Sequence, residues 1–209
     1  MTEAIYSFFA GIFQDNIILA TILISMVPII EIKGAIPFST SSIIWKELAM
    51  TNWESFGWAI LGSSIIVPII ALLFKPIIDQ FKKIKALQKI GCAIEDFVLS
   101  KSERIENNVS ASKNQYWKKL LLIFIFVALP LPLTGVWTGT CIAVCMNVDY
   151  FSTCITVILG NIIAGTIITL ILEFLPWLND WLFFIFLGII ILFLIIKLLM
   201  YLINKKKNT

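Results

Sequence analysis

Six apolar blocks, at about residues 5–24, 25–45, 56–80, 119–146, 151–175 and 178–203, restrict what this chain can fold into. A helix crosses about 30 Å of hydrocarbon with about 20 apolar residues, and several blocks reach that length. Of 209 residues, 59% are hydrophobic and 14% charged, with a mean hydropathy of +0.96. A soluble domain carries roughly 25% charge. The fold class expected is all-α integral membrane, with one membrane domain over 1–209 and no second, soluble one.

The opening MTEAIYSFFAGIF has no Lys or Arg ahead of its apolar run, unlike a cleavable signal peptide. The chain has no histidine, which removes the commonest general base and metal ligand. Cys92, Cys141, Cys145 and Cys154 read as small apolar packing residues; two thiols four apart are too few for a metal site. No cofactor, metal or nucleic-acid partner is expected.

One long polar segment, about 81–118, interrupts the apolar blocks. In FKKIKALQKIGCAIEDFVL, Phe81, Ile84, Leu87, Ile90, Ile94 and Phe97 recur at three- and four-residue spacing, with lysines mostly between them. That pattern predicts an amphipathic helix on the membrane surface. SKSERIENNVSASKNQ, lacking periodicity, predicts a loop. Ten Lys or Arg fall between Lys75 and Lys119, and the tail adds Lys205, Lys206 and Lys207. The positive-inside rule then puts the central loop and the C-terminus in the cytoplasm of a multi-pass plasma-membrane protein.

Two cytoplasmic ends need an even number of crossings, yet three apolar blocks lie between Lys119 and Lys205. Block 119–146 resolves the conflict, because Pro130, Pro132, Gly135 and Gly139 interrupt it. At 1.5 Å per residue, its roughly 28 residues are too short for two spans but suit two half-length arms around a turn. The expectation is a re-entrant hairpin, whose non-helical tip must pack in protein or face a wet cavity. The first half repeats the design: VPIIEIKGAIPFSTSS is followed by WAILGSSIIVPIIALL, as VALPLPLTGVWTGT is by TVILGNIIAGTIITLIL. At an offset of about 100 residues Gly34 pairs with Gly135, and Gly62-Ser63 with Gly160-Asn161. The halves would run in opposite directions, the inverted-repeat pattern of secondary transporters with a midplane binding site. Repeat 1 would cover about 5–80 and repeat 2 about 119–175, each a re-entrant helical hairpin followed by a transmembrane helix. A C-terminal transmembrane helix would follow at about 178–203.

Glu31 and Lys33 each cost about 2.5–3.5 kcal/mol at a membrane helix centre on insertion scales. Residues two apart diverge on a helix but share a side when extended, so EIKG followed by Pro37 predicts an unwound stretch with both charges in one cavity. Glu31 and Lys33 then either lock the hairpin or serve transport. In the second case Glu31 carries a proton or cation and Lys33 meets an anionic group. Pro130, Pro132, Thr134, Gly135, Trp137 and Thr138 would offer backbone polar groups, hydroxyls and an indole N–H opposite. Asn161, inside a span, would hydrogen-bond across a helix interface. An enzyme is disfavoured by the lack of histidine and of paired intramembrane carboxylates; a non-transporting scaffold stays open.

EIKGAIP, Glu31 to Pro37, resembles the E-L-R-[GA]-A-I-P signature of the small multidrug export protein family. PLPLTGVWTG, Pro130 to Gly139, resembles its second signature, P-x-P-x-T-G-x-W-x-G, and Gly160-Asn161 a third feature. The resemblance covers about 20–180 and is similar in turn to the DedA/VTT superfamily. It implies two re-entrant hairpins in inverted repeats and movement of a lipid phosphate, such as a polyprenyl-phosphate carrier, or of hydrophobic drug-like compounds. Membrane lipids, protons or cations and a homo-oligomer are the partners expected. Lys33 stands where the family usually has Arg, which loses bidentate recognition of phosphate.

Overall fold

The computed structural model describes residues 2–83, 115–131 and 133–178, with 181, 182, 184, 185 and 188 beyond them. Most of the amphipathic segment and of the C-terminal helix expected from sequence, and with them Cys92 and Pro132, lie outside the described residues.

Every regular element among the described residues is helical. Helix α1 (Thr2–Phe13) meets α2 (Ile17–Met26) at a 90° bend. Gln14 and Asp15 make that bend with left-handed φ values of 51° and 58°, and the Asn16 side chain caps α2 by accepting from Leu19 N at 3.0 Å. Block 5–24 is therefore not one straight helix. Pro28 ends α2, because the residue before a proline avoids the helical region, and Val27 is extended with φ −71° and ψ 128°. After a four-residue break, α3 (Glu31–Thr40) returns so that its end meets the start of α2: Phe38 packs with Ala20 and Ile17. The two helices form hairpin 1.

A short α4 (Ser42–Trp45) and a 3-10 turn lead to α5 (Asn52–Lys83), which carries Pro68 and Pro76. Hairpin 2 is α6 (Gln115–Ala128), a break whose described residues are 129–131 and 133–135, and α7 (Val136–Cys145). Its open end closes where Lys119 Nζ donates to Met146 O at 3.4 Å and Tyr116 donates to Asp149. Asp149 caps α8 (Tyr150–Phe174), its Oδ2 accepting from Ser152 N at 2.9 Å. The Tyr116 hydroxyl, with Ser152, holds the Asp149 carboxyl below the usual carboxylate range.

Within Asn52–Asp79 and Tyr150–Phe174 lie the two described helices long and apolar enough to cross a membrane, 28 and 25 residues, or three if the bent α1–α2 pair counts as one span. They pack antiparallel. Asn52 Nδ2 donates to Glu173 Oε2 at 2.9 Å at one end, and Asn161 Nδ2 to Ser63 Oγ at 2.7 Å in the buried middle. Helix α2 lies on α5 and α6 on α8, while the inner arms α3 and α7 each touch both long helices. All ten residues of α3 are buried; Ile32, Ala35 and Ile36 pack on Ala59, Ile168 and Leu172. Leu61, Ile65, Ile69 and Leu72 on α5, with Phe151, Ile155, Leu159 and Ile163 on α8, leave apolar stripes exposed. Stripes of that extent suit acyl chains better than water.

Candidate functional site

The breaks of the two hairpins meet, and the charges sit at the junction. Ile29 in the first break, Glu31 directly after it and Leu133 in the second break have φ values of 76°, 50° and 68°. A β-branched or carboxylate residue held there costs of order 1–3 kcal/mol, strain that clusters at functional sites.

Residues 31–34 are helical, not unwound as the sequence suggests; the non-helical stretch is 27–30. Glu31 and Lys33 nevertheless converge. The left-handed backbone at Glu31, the first residue of α3, turns its side chain out of the helical progression. Its Oε2 lies 3.7 Å from Lys33 Nζ, with the side chains 4% and 1% exposed.

The second tip completes both coordination spheres. Glu31 Oε1 accepts from the backbone N of Trp137 at 3.0 Å, so a carboxylate caps the positive end of α7. Lys33 Nζ donates to Leu131 O at 2.9 Å and to Thr134 Oγ1 at 3.2 Å. Thr134 Oγ1 also lies 2.8 Å from the carbonyls of Leu129 and Leu131, tying it to the residues that directly follow α6. The Trp137 indole Nε1 donates to Met26 O at 3.0 Å, the last residue of α2. Gly135 makes room: a Cβ there would fall onto the Glu31 carboxylate.

Of the residues singled out from sequence, Glu31, Lys33, Thr134, Gly135 and Trp137 come together. Pro130 lies in the second break, half-buried, and Pro132 is outside the described residues. Thr138 follows Trp137, half-buried, with no hydrogen bond found to either charge among the described residues. Gly34 and Pro37 lie inside α3; Gly34 gives way to the Ile30 side chain, and Pro37 leaves the Lys33 carbonyl without its usual i+4 donor. Asn161 serves the α5–α8 contact, away from the ion pair. The sequence could not point to the carbonyls of Met26 and Leu131 or to the backbone N–H of Trp137, because any residue type supplies them.

Gly135→Ala is expected to evict the Glu31 carboxylate from its contacts with Lys33 and Trp137. The cost should exceed the roughly 1 kcal/mol of an ordinary glycine–alanine exchange, because a buried charge loses its partners. Thermal unfolding in detergent checks this, with Gly11→Ala, where a Cβ meets nothing within 4 Å, as the neutral comparison.

A family model described as "Putative small multi-drug export protein" matches residues 31–167. No curated protein and no solved structure matches. The family match begins on the buried carboxylate, takes in the second tip and Asn161, and covers more than half of the sequence: the chain belongs to the small multi-drug export protein family.

Proposed function

We propose that this chain is a multi-pass transporter that moves an amphipathic substrate, a lipid phosphate or a hydrophobic drug-like compound, across the plasma membrane, coupled to protons or cations through Glu31. The observation that carries the reading is the ion pair at the junction of two helix breaks, buried and shared between tips that no backbone ladder joins. Such a junction can open by exchanging side-chain contacts alone, which a continuous helix cannot do. Ionisable groups at membrane depth mark substrate or ion pathways by default. The described arrangement, with both charges satisfied, is then the closed state.

In this reading the two hairpins are re-entrant and the halves are inverted repeats, in line with DedA/VTT kinship. Two correspondences support it. A Cβ at Gly62 would overlap Ser25 and the Ile22 carbonyl of α2, and one at Gly160 would crowd the Phe124 carbonyl and Val127 of α6, the matching arm. Ser63 and Asn161, next to those glycines, bond to each other as residues near a two-fold axis would. The basic central segment and tail would be cytoplasmic.

Flux of a fluorescent amphipathic phosphate ester into proteoliposomes under an imposed pH gradient tests the function. Rates above those of protein-free vesicles are expected. Equal rates would leave the second reading, a static scaffold, which the full set of acceptors around Lys33 favours. For the topology, single cysteines at Glu47 and Asn147, in a background without the native thiols, should react with an impermeant maleimide from opposite faces. Labelling from one face would end the inverted-repeat reading.

A further inference from the structure

Between α5 and α7 runs an apolar groove of about 360 Å³, walled by Ile66, Ile70, Phe74, Ile78, Trp137 and Cys141 among others. The indole nitrogen of Trp137 is engaged by Met26, so the groove offers no free polar group along that wall. It ends beside the backbone that holds Glu31. Toward the other end of α5 it adjoins a hollow of about 200 Å³ that shares Phe74 and Ile78 with it and adds Lys75, Asp79 and Asn147. Lys75 and Asn147 then pass into a third hollow, about 350 Å³, where Tyr150 and Thr153 of α8 join them.

Two independent features mark this end for a ligand. Lys75 is exposed and forms no ion pair among the described residues, although Asp79 stands one turn away. Thr153 is 1% exposed, yet its Oγ1 has no hydrogen-bond partner among the described residues. A buried hydroxyl without a partner costs about 1–3 kcal/mol and awaits an acceptor. The nearby carboxylate of Asp149 is taken up by Tyr116 and Ser152. From Ile66 to Lys75 the α5 axis rises about 14 Å. The site is therefore apolar along its length and ends in one ammonium, an amide and two hydroxyls, with the Asp79 carboxylate at its edge beside Lys75.

We propose that this cleft binds an anionic phospholipid, its phosphate against Lys75, Asn147, Tyr150 and Thr153 and one tail along α5 and α7 to Trp137. The inference rests on the transport reading and deepens it: a phosphate-headed lipid is the substrate class, and the α5–α7 groove is where it loads. Lys75 supplies the charge, and the hydroxyls and amide supply donors to the remaining phosphate oxygens. The tail displaces no polar contact.

Native mass spectrometry of the full chain, delipidated in detergent and titrated with phosphatidylglycerol or diacylglycerol of the same acyl composition, tests it. Phosphatidylglycerol should be retained preferentially, with Lys75→Gln lowering its affinity about tenfold, the scale of one charge-assisted hydrogen bond. Thr153→Val should weaken it less, and neither variant should change diacylglycerol retention or the unfolding midpoint. Equal retention of the two lipids, an unaffected Lys75→Gln, or a lipid-free dimer that covers the groove would each overturn the site. Selective, Lys75-dependent binding without flux in proteoliposomes would leave the site standing and remove the transport reading instead. Flux with no lipid preference would remove the site alone.

Discussion

Lys33→Met is expected to destabilise the protein by about 3–5 kcal/mol, the cost of removing one partner from a buried ion pair. Methionine fills a similar volume, so packing around α3 is nearly preserved and the loss is electrostatic. Three contacts go at once: the 3.7 Å approach to Glu31, the 2.9 Å bond to Leu131 O and the 3.2 Å bond to Thr134 Oγ1. Glu31 is left with the Trp137 N–H, a single donor for a buried carboxylate. The double variant Glu31→Gln, Lys33→Met should recover part of that loss, since a neutral amide keeps the bond to Trp137 without a stranded charge. Denaturation of the four proteins in one detergent gives the coupling energy directly. A single variant as stable as the parent, or a double variant showing the simple sum, would mean that the pair does not hold the tips together.

The long helices were the easiest part to read. Blocks 56–80 and 151–175 became α5, Asn52–Lys83, and α8, Tyr150–Phe174, because a continuous apolar run of that length has few other solutions. The second break was also legible, since Pro130, Pro132 and Gly135 crowd one short stretch of the sequence. The first was displaced by several residues. Gly34 and Pro37 read as breakers, yet both lie in α3, whose burial against both long helices outweighs local propensity. Pro28 sets the actual break, and the left-handed turns at Ile29 and Glu31 use residue types that give no warning. The bend at Gln14 and Asp15 escaped for the same reason.

The candidate site divides along similar lines. The sequence puts Glu31 and Lys33 in one cavity by way of an unwound stretch; they do converge, but through a left-handed first helical residue that the pattern does not show. Gly135 was singled out as the partner of Gly34, but its role is to leave space for a carboxylate. Nothing in the residue pattern shows that contact, because it joins the two halves of the chain.

Glu31→Gln is expected to abolish gradient-driven flux while leaving a folded protein. The amide oxygen can still accept from Trp137 N, and the Lys33 ammonium retains the Leu131 carbonyl and the Thr134 hydroxyl, so two of its three contacts survive. That makes the stability loss smaller than for Lys33→Met, where none survives. What glutamine cannot do is change charge. If opening the tips requires Glu31 to give up its ion pair by taking a proton or cation, the variant has no titratable group at the junction and cannot couple to the gradient. Downhill flux without a pH difference, measured in the same vesicles, separates the possibilities. Loss of gradient-driven flux with some downhill flux retained identifies Glu31 as the coupling group. Loss of both with unchanged stability makes the carboxylate necessary for opening the junction at all. Flux that still follows the gradient at the parent rate would remove Glu31 from the transport mechanism and leave it the structural role of capping α7.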